Sequence, residues 1–408
     1  MLGAMKNRWP TKFALSMGPL AALLCTFGCG GANSTRPSGT AGLSFLNSSN
    51  PATNPWPQSV AVADFNGDGK LDLAVPVYSI FTPLSDMNIL LGNGDGTFTP
   101  GPAFPLIGQN VNNAAVADFN GDGKPDLAIS LPDADQVQVL LGNGDGTFTP
   151  LPAISATGVF VVATGDFNGD GKADLVVVNP GPGTVTILLG NGDGTFTQKA
   201  TIAVNGGPQS VVVGDFNRDG KVDLAVVSYF SNTVSVLLGN GDGTFTEAAS
   251  SSATGFQPVS VAAGDFNGDG ILDLVVTSLN GGAPGLGTVT VLLGKGDGTF
   301  APTAVSPVPG SNPCSVAVAD FNGDGKADLV IANAGSNTLT VLLGNGDGTF
   351  AAPLSPAAGT DPLFVALGDF NGDGIPDLAI ANNSTSSLSV LLTQHGQTAT
   401  AMVSGQGP

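Results

Sequence analysis

Acidic and amide side chains recur at fixed spacing in one short string of this sequence. The string Asp-Phe-Asn-x-Asp-Gly-x-x-Asp-Leu begins at Asp64, Asp118, Asp166, Asp215, Asp265, Asp320 and Asp369. Oxygen-bearing side chains therefore occupy positions 1, 3, 5 and 9 of a nine-residue loop, and Gly at position 6 permits a sharp turn. Hard cations such as Ca²⁺ take about six to eight oxygen ligands, often including a main-chain carbonyl. The pattern predicts up to seven cation-binding loops. A flexible, carboxylate-rich loop suits Ca²⁺ better than the smaller Mg²⁺.

The predicted ligands of each loop are the four oxygen-bearing side chains and the main-chain carbonyl of position 7. Position 7 is Lys or Ile, and neither side chain can ligate a hard cation here, so only the backbone oxygen is available. The seven predicted sets are Asp64, Asn66, Asp68, Lys70 and Asp72; Asp118, Asn120, Asp122, Lys124 and Asp126; Asp166, Asn168, Asp170, Lys172 and Asp174; Asp215, Asn217, Asp219, Lys221 and Asp223; Asp265, Asn267, Asp269, Ile271 and Asp273; Asp320, Asn322, Asp324, Lys326 and Asp328; and Asp369, Asn371, Asp373, Ile375 and Asp377.

The loop begins like an EF-hand loop and then departs from it. Position 12, where an EF-hand supplies a bidentate Glu, is Val or Ile in every copy, and a strand pattern follows instead of a helix. Asp at position 9 is therefore expected to complete the site. The alternative interpretation is that the Asp and Asn residues only form Asx turns between strands. One such residue suffices for a turn, whereas every loop here carries four.

A second string, Leu-Leu-Gly-x-Gly-Asp-Gly-Thr-Phe, occurs six times and decays in its seventh copy to Leu-Leu-Thr-Gln-His-Gly. Its Asp-Gly centre is typical of a hairpin turn, so we interpret it as a turn and not as a second metal site. Two repeats depart from the consensus. Lys295 replaces Asn in the fifth turn, and Arg218 replaces Gly at position 4 of the fourth loop. Position 4 is expected to point outward, so the fourth site should survive with weaker affinity.

Both strings repeat about every 50 residues, and the segments between them read as strands. Each repeat holds short β-branched runs bounded by Gly, Asn and Asp, and no helical period is present. Four strands per repeat, seven times over, predict an all-β fold, a seven-bladed β-propeller of four-stranded antiparallel blades. The rival architecture is a linear solenoid, which needs polar caps that the sequence lacks.

Ring closure can be predicted from the two ends of the repeat region. Gly42-Leu43-Ser44-Phe45 is similar to the Gly-Thr-Phe string that the last repeat has lost. We therefore expect residues near 43–48 to form the outer strand of blade seven. The competing donor is the C-terminal segment 398–403.

Taken together, these motifs resemble the FG-GAP or VCBS repeat family, whose members include the seven-bladed heads of integrin α subunits. The likeness covers residues 43–408. It implies Ca²⁺ held on one face of each blade, between the first and second strands, and a role in extracellular binding or adhesion. Integrins carry such loops in only some blades, whereas all seven repeats have one here. The integrin partner subunit and its ligand-binding features do not transfer.

The N-terminus reads as an export signal. Residues 1–28 combine a basic start with a short apolar run, and a small residue followed by Cys29 resembles a bacterial lipoprotein signal. We expect Cys29 to be lipidated, residues 29–42 to be a flexible linker and residues 43–408 to form the propeller. The protein would then be exported and lipid-anchored in the cell envelope, its only membrane contact. Ordinary secretion is the alternative.

Charge and composition narrow the function. Twelve basic against 32 acidic residues give a net charge of −20, which argues against nucleic-acid binding. Acid–base catalysts are scarce, since the candidates are Tyr78, Tyr229, Glu247 and His395, which share no motif. The expected function is a monomeric binding or adhesion module for an extracellular protein or glycan, and not an enzyme. A polysaccharide lyase or hydrolase, or a purely structural envelope protein, is the alternative.

Overall fold

A computed structural model describes residues 21–22, 43–78, 84–102, 104–107, 110–248, 252–280, 287–303, 307 and 309–395. Seven small antiparallel sheets follow one another along the chain, one per repeat. Each blade runs from an inner strand through the nine-residue loop to a second strand and then to a third strand. In blades one to five the chain continues past the Gly-Asp-Gly-Thr hairpin to an outer strand. The predicted all-β seven-bladed propeller is therefore confirmed.

The first two strands of each blade flank the nine-residue loop. The inner strands are Ala61–Ala63, Ala114–Ala117, Val161–Gly165, Pro208–Gly214, Phe256–Gly264, Pro313–Ala319 and Pro362–Gly368. The second strands are Asp72–Pro76, Asp126–Leu131, Asp174–Asn179, Asp223–Ser228, Asp273–Asn280, Asp328–Asn333 and Asp377–Asn382. The second strands are almost wholly buried, because neighbouring blades cover both of their faces.

The last two strands of each blade flank the hairpin. The third strands are Leu84–Gly92, Gln136–Gly142, Thr184–Gly190, Thr233–Gly239, Thr288–Gly294, Thr338–Leu342 and Ser387–His395. The outer strands of blades one to five are Phe98–Pro100 with Phe104–Ile107, Phe148–Pro150 with Ile154–Ser155, Phe196–Ala203, Phe245–Glu247 with Ser252–Ala253, and Phe300–Pro302. Blade six has isolated bridges over 350–357 in place of an outer strand. A short 3₁₀ helix, Pro132–Ala134, follows the second strand of blade two.

The inner strands form a closed ring. Each contacts the inner strand of the next blade, and that of blade seven contacts that of blade one. Side-chain hydrogen bonds join two of these pairs of inner strands: Ser260 Oγ accepts the N–H of Val316, and Ser315 Oγ accepts the N–H of Val365. A closed ring has no solenoid ends, so the linear alternative does not apply.

The N-terminal strand closes the ring as expected. Leu43–Ser49 pairs antiparallel with the third strand of blade seven, with Leu43 opposite His395 and Phe45 opposite Thr393. The competing donor, 398–403, lies outside the described residues. So does Cys29. Within the expected signal peptide, Ala21–Ala22 is described, and it pairs in parallel with Val211 and Val212.

Pairs of Phe side chains join successive blades. The Phe at loop position 2 contacts the first Phe of the outer strand in the next blade, with ring centroids 5.5–5.9 Å apart in six seams; these pairs are Phe65–Phe148, Phe119–Phe196, Phe167–Phe245, Phe216–Phe300, Phe266–Phe350 and Phe370–Phe98. In the seventh seam Phe45 meets Phe321 at 6.2 Å. The N-terminal strand thus supplies the Phe that the last repeat lacks. Among the described residues, no helix is long and apolar enough to cross a membrane.

We predict that Phe45→Ala destabilises the ring, because the seam between blades six and seven loses its edge-to-face ring pair. The expected loss is about 2 kcal/mol of unfolding free energy, measured by denaturant titration. Leu46→Ala is the matched control, since Leu46 lies on the same strand and is 51% exposed; its change should stay within about 0.5 kcal/mol. Equal effects of the two substitutions would contradict this account of closure.

Candidate metal centres

In the first half of each nine-residue loop, side-chain oxygens accept hydrogen bonds from backbone N–H groups of the same loop. In blade one, Oδ1 of Asp64 accepts the N–H groups of Gly67 and Asp68 at 2.7 and 3.1 Å, and Oδ2 accepts Gly69 N–H at 2.8 Å. Oδ1 of Asn66 accepts the same Asp68 N–H at 2.9 Å. Oxygens from positions 1 and 3 therefore converge on one nitrogen. Hydrogen bonds of this kind define Asx turns, and they also gather the oxygens on one side of the loop.

The same arrangement recurs in all seven blades. The amide of the position-5 Asp points at both the position-1 and position-3 oxygens in every copy. Oδ1 of the position-5 Asp in turn accepts the N–H of position 7. Positive φ at Gly67 and Gly69 turns the backbone around these oxygens.

Position 9 has a second role that the sequence did not reveal. Asp328 is fully buried; its Oδ2 accepts Phe321 N–H at 2.9 Å, and its Oδ1 accepts Gly344 N–H, two residues beyond the third strand, at 2.7 Å. All seven position-9 carboxylates bond both the loop and the third strand in this way. This carboxylate therefore fastens the loop to its own blade. A carboxylate oxygen can accept two bonds, so it also keeps capacity for a cation.

Burial changes the pKa of the position-9 carboxyl groups. Desolvation raises the pKa of every position-9 Asp, to about 6 in Asp273 and about 7 in Asp328 and Asp377, against the lowering effect of the backbone N–H donors. The neighbouring loop carboxylates add a smaller upward shift of the pKa. A divalent cation beside these groups would oppose both effects.

The donor set fits a hard cation by its chemistry, since each loop offers only oxygen: two carboxylates and an amide in its first half, a main-chain carbonyl and the position-9 carboxylate. In the part of the chain that the structure describes, no three His, Cys, Asp or Glu side chains converge closely enough to hold an ion by themselves. The predicted ligand sets accordingly rely on the Asn amide oxygen and the position-7 carbonyl as well as on the carboxylates. The seven ligand sets stay a prediction on this geometry.

The Gly-Asp-Gly-Thr hairpins are turns, in keeping with the interpretation from the sequence. Oδ1 of Asp347 accepts both the N–H and the hydroxyl of Thr349, and these bonds lower the pKa of the Asp347 carboxyl. Each hairpin also binds the preceding blade. Gly348 N–H, for example, donates to the main-chain oxygen of Phe266, at position 2 of the loop in blade five.

The two departures from the repeat lie together. Arg218 adopts the left-handed conformation that Gly adopts in the other loops, with φ of 62°. Its side chain runs outward, over the hairpin of blade five, where a Cβ on Gly296 would lie 3.3 Å from its Cδ. Lys295 precedes that glycine. Asp215 and Asn217 still accept the N–H groups of Asp219 and Gly220, whereas the bond from the position-4 N–H to the position-1 Asp, present in the other six loops, is not found here among the described residues. The outward direction expected of position 4 agrees with the structure.

The candidate catalytic residues are spread over the ring. Tyr78 follows the second strand of blade one and lies against Trp56, with ring centroids 6.5 Å apart. Tyr229 follows the second strand of blade four, and Glu247 ends the outer strand of that blade. His395 ends the third strand of blade seven.

Fold and loops together define a seven-bladed propeller built from Asp-loop repeats. The chain belongs to the FG-GAP repeat family: FG-GAP-like repeats match residues 77–129, 118–177, 166–226, 215–276, 279–331 and 320–380, and an FG-GAP repeat matches residues 56–79. No curated protein matches the chain significantly.

Solved structures share the fold at low sequence identity. BBS1N, in a crystal structure of its complex with ARL6DN, is 14% identical with a TM-score of 0.62, over 87% of this chain and 98% of that one. Virginiamycin B lyase from Staphylococcus aureus is 15% identical with a TM-score of 0.56, over 86% and 98%. An Agrocybe aegerita lectin that recognises non-reducing terminal N-acetylglucosamine is 21% identical with a TM-score of 0.50, over 85% and 87%. These likenesses concern the fold alone.

We predict that Asp328→Asn lowers stability even in the presence of chelator. The amide can offer only one acceptor, so its NH₂ group would face a buried backbone N–H. The expected cost is about 2 kcal/mol, measured by denaturant unfolding. Asp347→Asn is the control: Asp347 is exposed, and its acceptor Oδ1 survives the change, so little should be lost. A similar loss in both variants would refute the anchoring role of position 9.

Proposed function

We propose that this protein is an exported, Ca²⁺-binding propeller of the cell envelope that serves as a binding or adhesion module for an extracellular protein or glycan. One observation carries the proposal. The same oxygen-lined loop conformation recurs between the first and second strands of all seven blades. A single turn needs one Asx residue, whereas each of these loops arranges four oxygen side chains in the same way.

Ca²⁺ would contribute stability rather than reactivity in this proposal. The ligands would be positions 1, 3, 5 and 9 with the position-7 carbonyl, so a bound ion would join the start of the loop to the buried position-9 carboxylate. Because that carboxylate already holds the third strand, cation binding would reinforce the blade. The seven ions would also offset most of the acidic excess, which is concentrated in the loops.

The positions of the polar residues favour a binding function over a catalytic one. Most Asp residues are committed to the loops and hairpins, and Tyr78, Tyr229, Glu247 and His395 belong to three different blades. Propellers of similar fold include a lectin and a protein captured in complex with a partner, which agrees with a binding role. The enzyme alternative draws its support from the likeness to a lyase.

Exposed aromatic rings mark one candidate contact surface. Phe230 is 74% exposed and Phe256 is 54% exposed. They flank a direct bond between neighbouring blades, from Gln257 N–H to the Asn232 side chain at 2.8 Å. Both lie at the blade ends opposite the nine-residue loops, because the second strand runs from the loop to this face. An exposed ring beside polar groups can bury one face of a sugar.

Export and anchoring complete the proposal. The signal-like segment 1–28, Cys29 and the linker 29–42 would place the propeller outside the cytoplasmic membrane, attached only by lipid. The propeller itself would act as a monomer, without nucleic-acid partners. Secretion without lipidation is the alternative.

We predict that Ca²⁺ raises the melting temperature and that chelator lowers it. An ion that binds only the folded chain stabilises it by about 2.7 kcal/mol per site at a hundredfold excess over Kd. The measurement is a thermal melt of the intact protein with Ca²⁺ and with EDTA, together with metal counting by native mass spectrometry. About seven ions per chain and a large shift are expected. Absence of bound Ca²⁺ would overturn the proposed cation role.

We predict that a glycan array probed in Ca²⁺ buffer shows retention of the protein without turnover of the ligand. Phe230→Ser and Phe256→Ser should weaken retention about tenfold, because each removes a stacking surface. Leu46→Ser, which also removes an exposed apolar side chain, should leave retention unchanged. Appearance of cleaved or unsaturated sugars in the eluate would favour the enzyme alternative instead.

A further inference from the structure

The residue at position 7 differs between loops, and the structure shows that this difference reaches the predicted ligands. Five loops carry Lys, in blades one, two, three, four and six, and two carry Ile, in blades five and seven. In every Lys loop the ammonium lies near Oδ2 of the position-5 Asp, at 3.9, 3.7, 3.9, 3.4 and 3.8 Å in blade order. A ligand carboxylate is thus paired with a protein cation in those loops.

The Lys side chain is held in this place by the hairpin of its own blade. A Cβ on Gly144 would lie 3.1 Å from Cδ of Lys124, so the aliphatic stem runs across the second glycine of the turn. The other four Lys loops repeat this contact. The ammonium also lies close enough to the hairpin Asp to help lower its pKa. Its position is therefore set by packing on a rigid turn as well as by charge.

The two Ile loops leave the same carboxylate without a cation at that position. In blade five, the Asn267 amide donates to Oδ2 of Asp269 at 3.0 Å, and in blade seven the Asn371 amide donates to Oδ2 of Asp373 at 3.1 Å. Ile375 is itself buried, and Ile271 is half-buried. In these loops no Lys at position 7 pairs with the position-5 carboxylate, and an apolar side chain covers one side of the loop. In blade five, the Arg218 side chain of blade four also packs on the hairpin, next to Ile271.

We infer that position 7 sorts the seven loops into two classes of Ca²⁺ affinity, a tight pair in blades five and seven and a weaker group of five. This inference rests on the proposed Ca²⁺ binding. Ligand charge is a main determinant of affinity in oxygen-ligated Ca²⁺ loops. A Lys ammonium beside a ligand repels the incoming ion and must give up its own ion pair with that ligand. Because both partners are partly exposed, the expected effect is modest, about fivefold in Kd for each site.

The division of the loops into two affinity classes has a consequence for the ring. Blades five and seven flank blade six, whose outer segment pairs by isolated bridges, and blade seven carries the closing N-terminal strand. The first two ions would therefore bind on either side of the least regular blade and at the closure itself. The remaining five would bind only as Ca²⁺ rises further.

The test is a Ca²⁺ titration of the intact protein in competition with a chromophoric chelator. The expected result is two tight ions and about five weaker ones. The double variant I271K/I375K should bind the same total while losing the tight class. I271M/I375M, which keeps an uncharged side chain of similar size, should retain two tight ions.

The reverse substitution provides an independent readout. K172I should increase the tight class from two ions to three, whereas K172R, which keeps the positive charge, should leave it at two. Raising the salt concentration should narrow the gap between the classes, since the effect is electrostatic. Melting in EDTA verifies that each variant is folded.

The outcomes separate the two proposals. Seven ions of uniform affinity, or a tight class that survives I271K/I375K, would overturn this inference and leave Ca²⁺ binding intact. Complete absence of Ca²⁺ binding by the unmodified chain would overturn the proposed function, and this inference with it.

Discussion

Everything in this ring depends on the seam where the loop of one blade meets the hairpin of the next. At position 2 of the loop, the Phe ring packs edge to face on the outer-strand Phe of the following blade, and its main-chain oxygen accepts the hairpin Gly N–H in six of the seven seams. Within its own blade, the same loop is held to the third strand by the position-9 carboxylate. The loop is thus tied both to its blade and to its neighbour. A change in loop conformation therefore affects two blades.

This connection explains why a candidate cation site and a structural joint can share nine residues. Positions 1, 3 and 5 turn their oxygens toward one another, position 2 buries its ring in the seam, and position 9 anchors the third strand. Cation binding to these loops would therefore act where the blades are joined. Position 4 and, in the Lys loops, position 7 remain free to vary, because the side chains of Arg218 and of the position-7 Lys residues extend over the hairpins instead of into the core.

Several features could be predicted from the sequence because they repeat. The fold class, the number of blades, the strands and the loops follow from two strings at a period near 50 residues, and the similarity of Gly42-Leu43-Ser44-Phe45 to the missing hairpin Phe correctly predicted closure by the N-terminal strand. Other features could not be predicted. The bonds of Ser260 and Ser315 between inner strands, and the bond from Gln257 to Asn232, join residues 25 to 56 positions apart, and only the ring brings them together. A Pro-x-Ser-Val sequence in the inner strands of blades four, five and six contains Ser260 and Ser315 and is a sequence signal for their bonds.

By itself, the sequence determined which residues can bear oxygen ligands and how often they recur, because type and spacing along one short loop are local properties. It also favoured a closed ring, since seven repeats of four short strands are typical of a β-propeller. Tertiary structure alone decided that the position-9 Asp is fully buried and bonded to a residue 16 to 21 positions further along the chain, and that Lys at position 7 reaches a candidate ligand. The physical reason is the same in each case. Burial, desolvation and ion pairing depend on neighbours from other strands and blades, and the linear spacing of a repeat carries no measure of them.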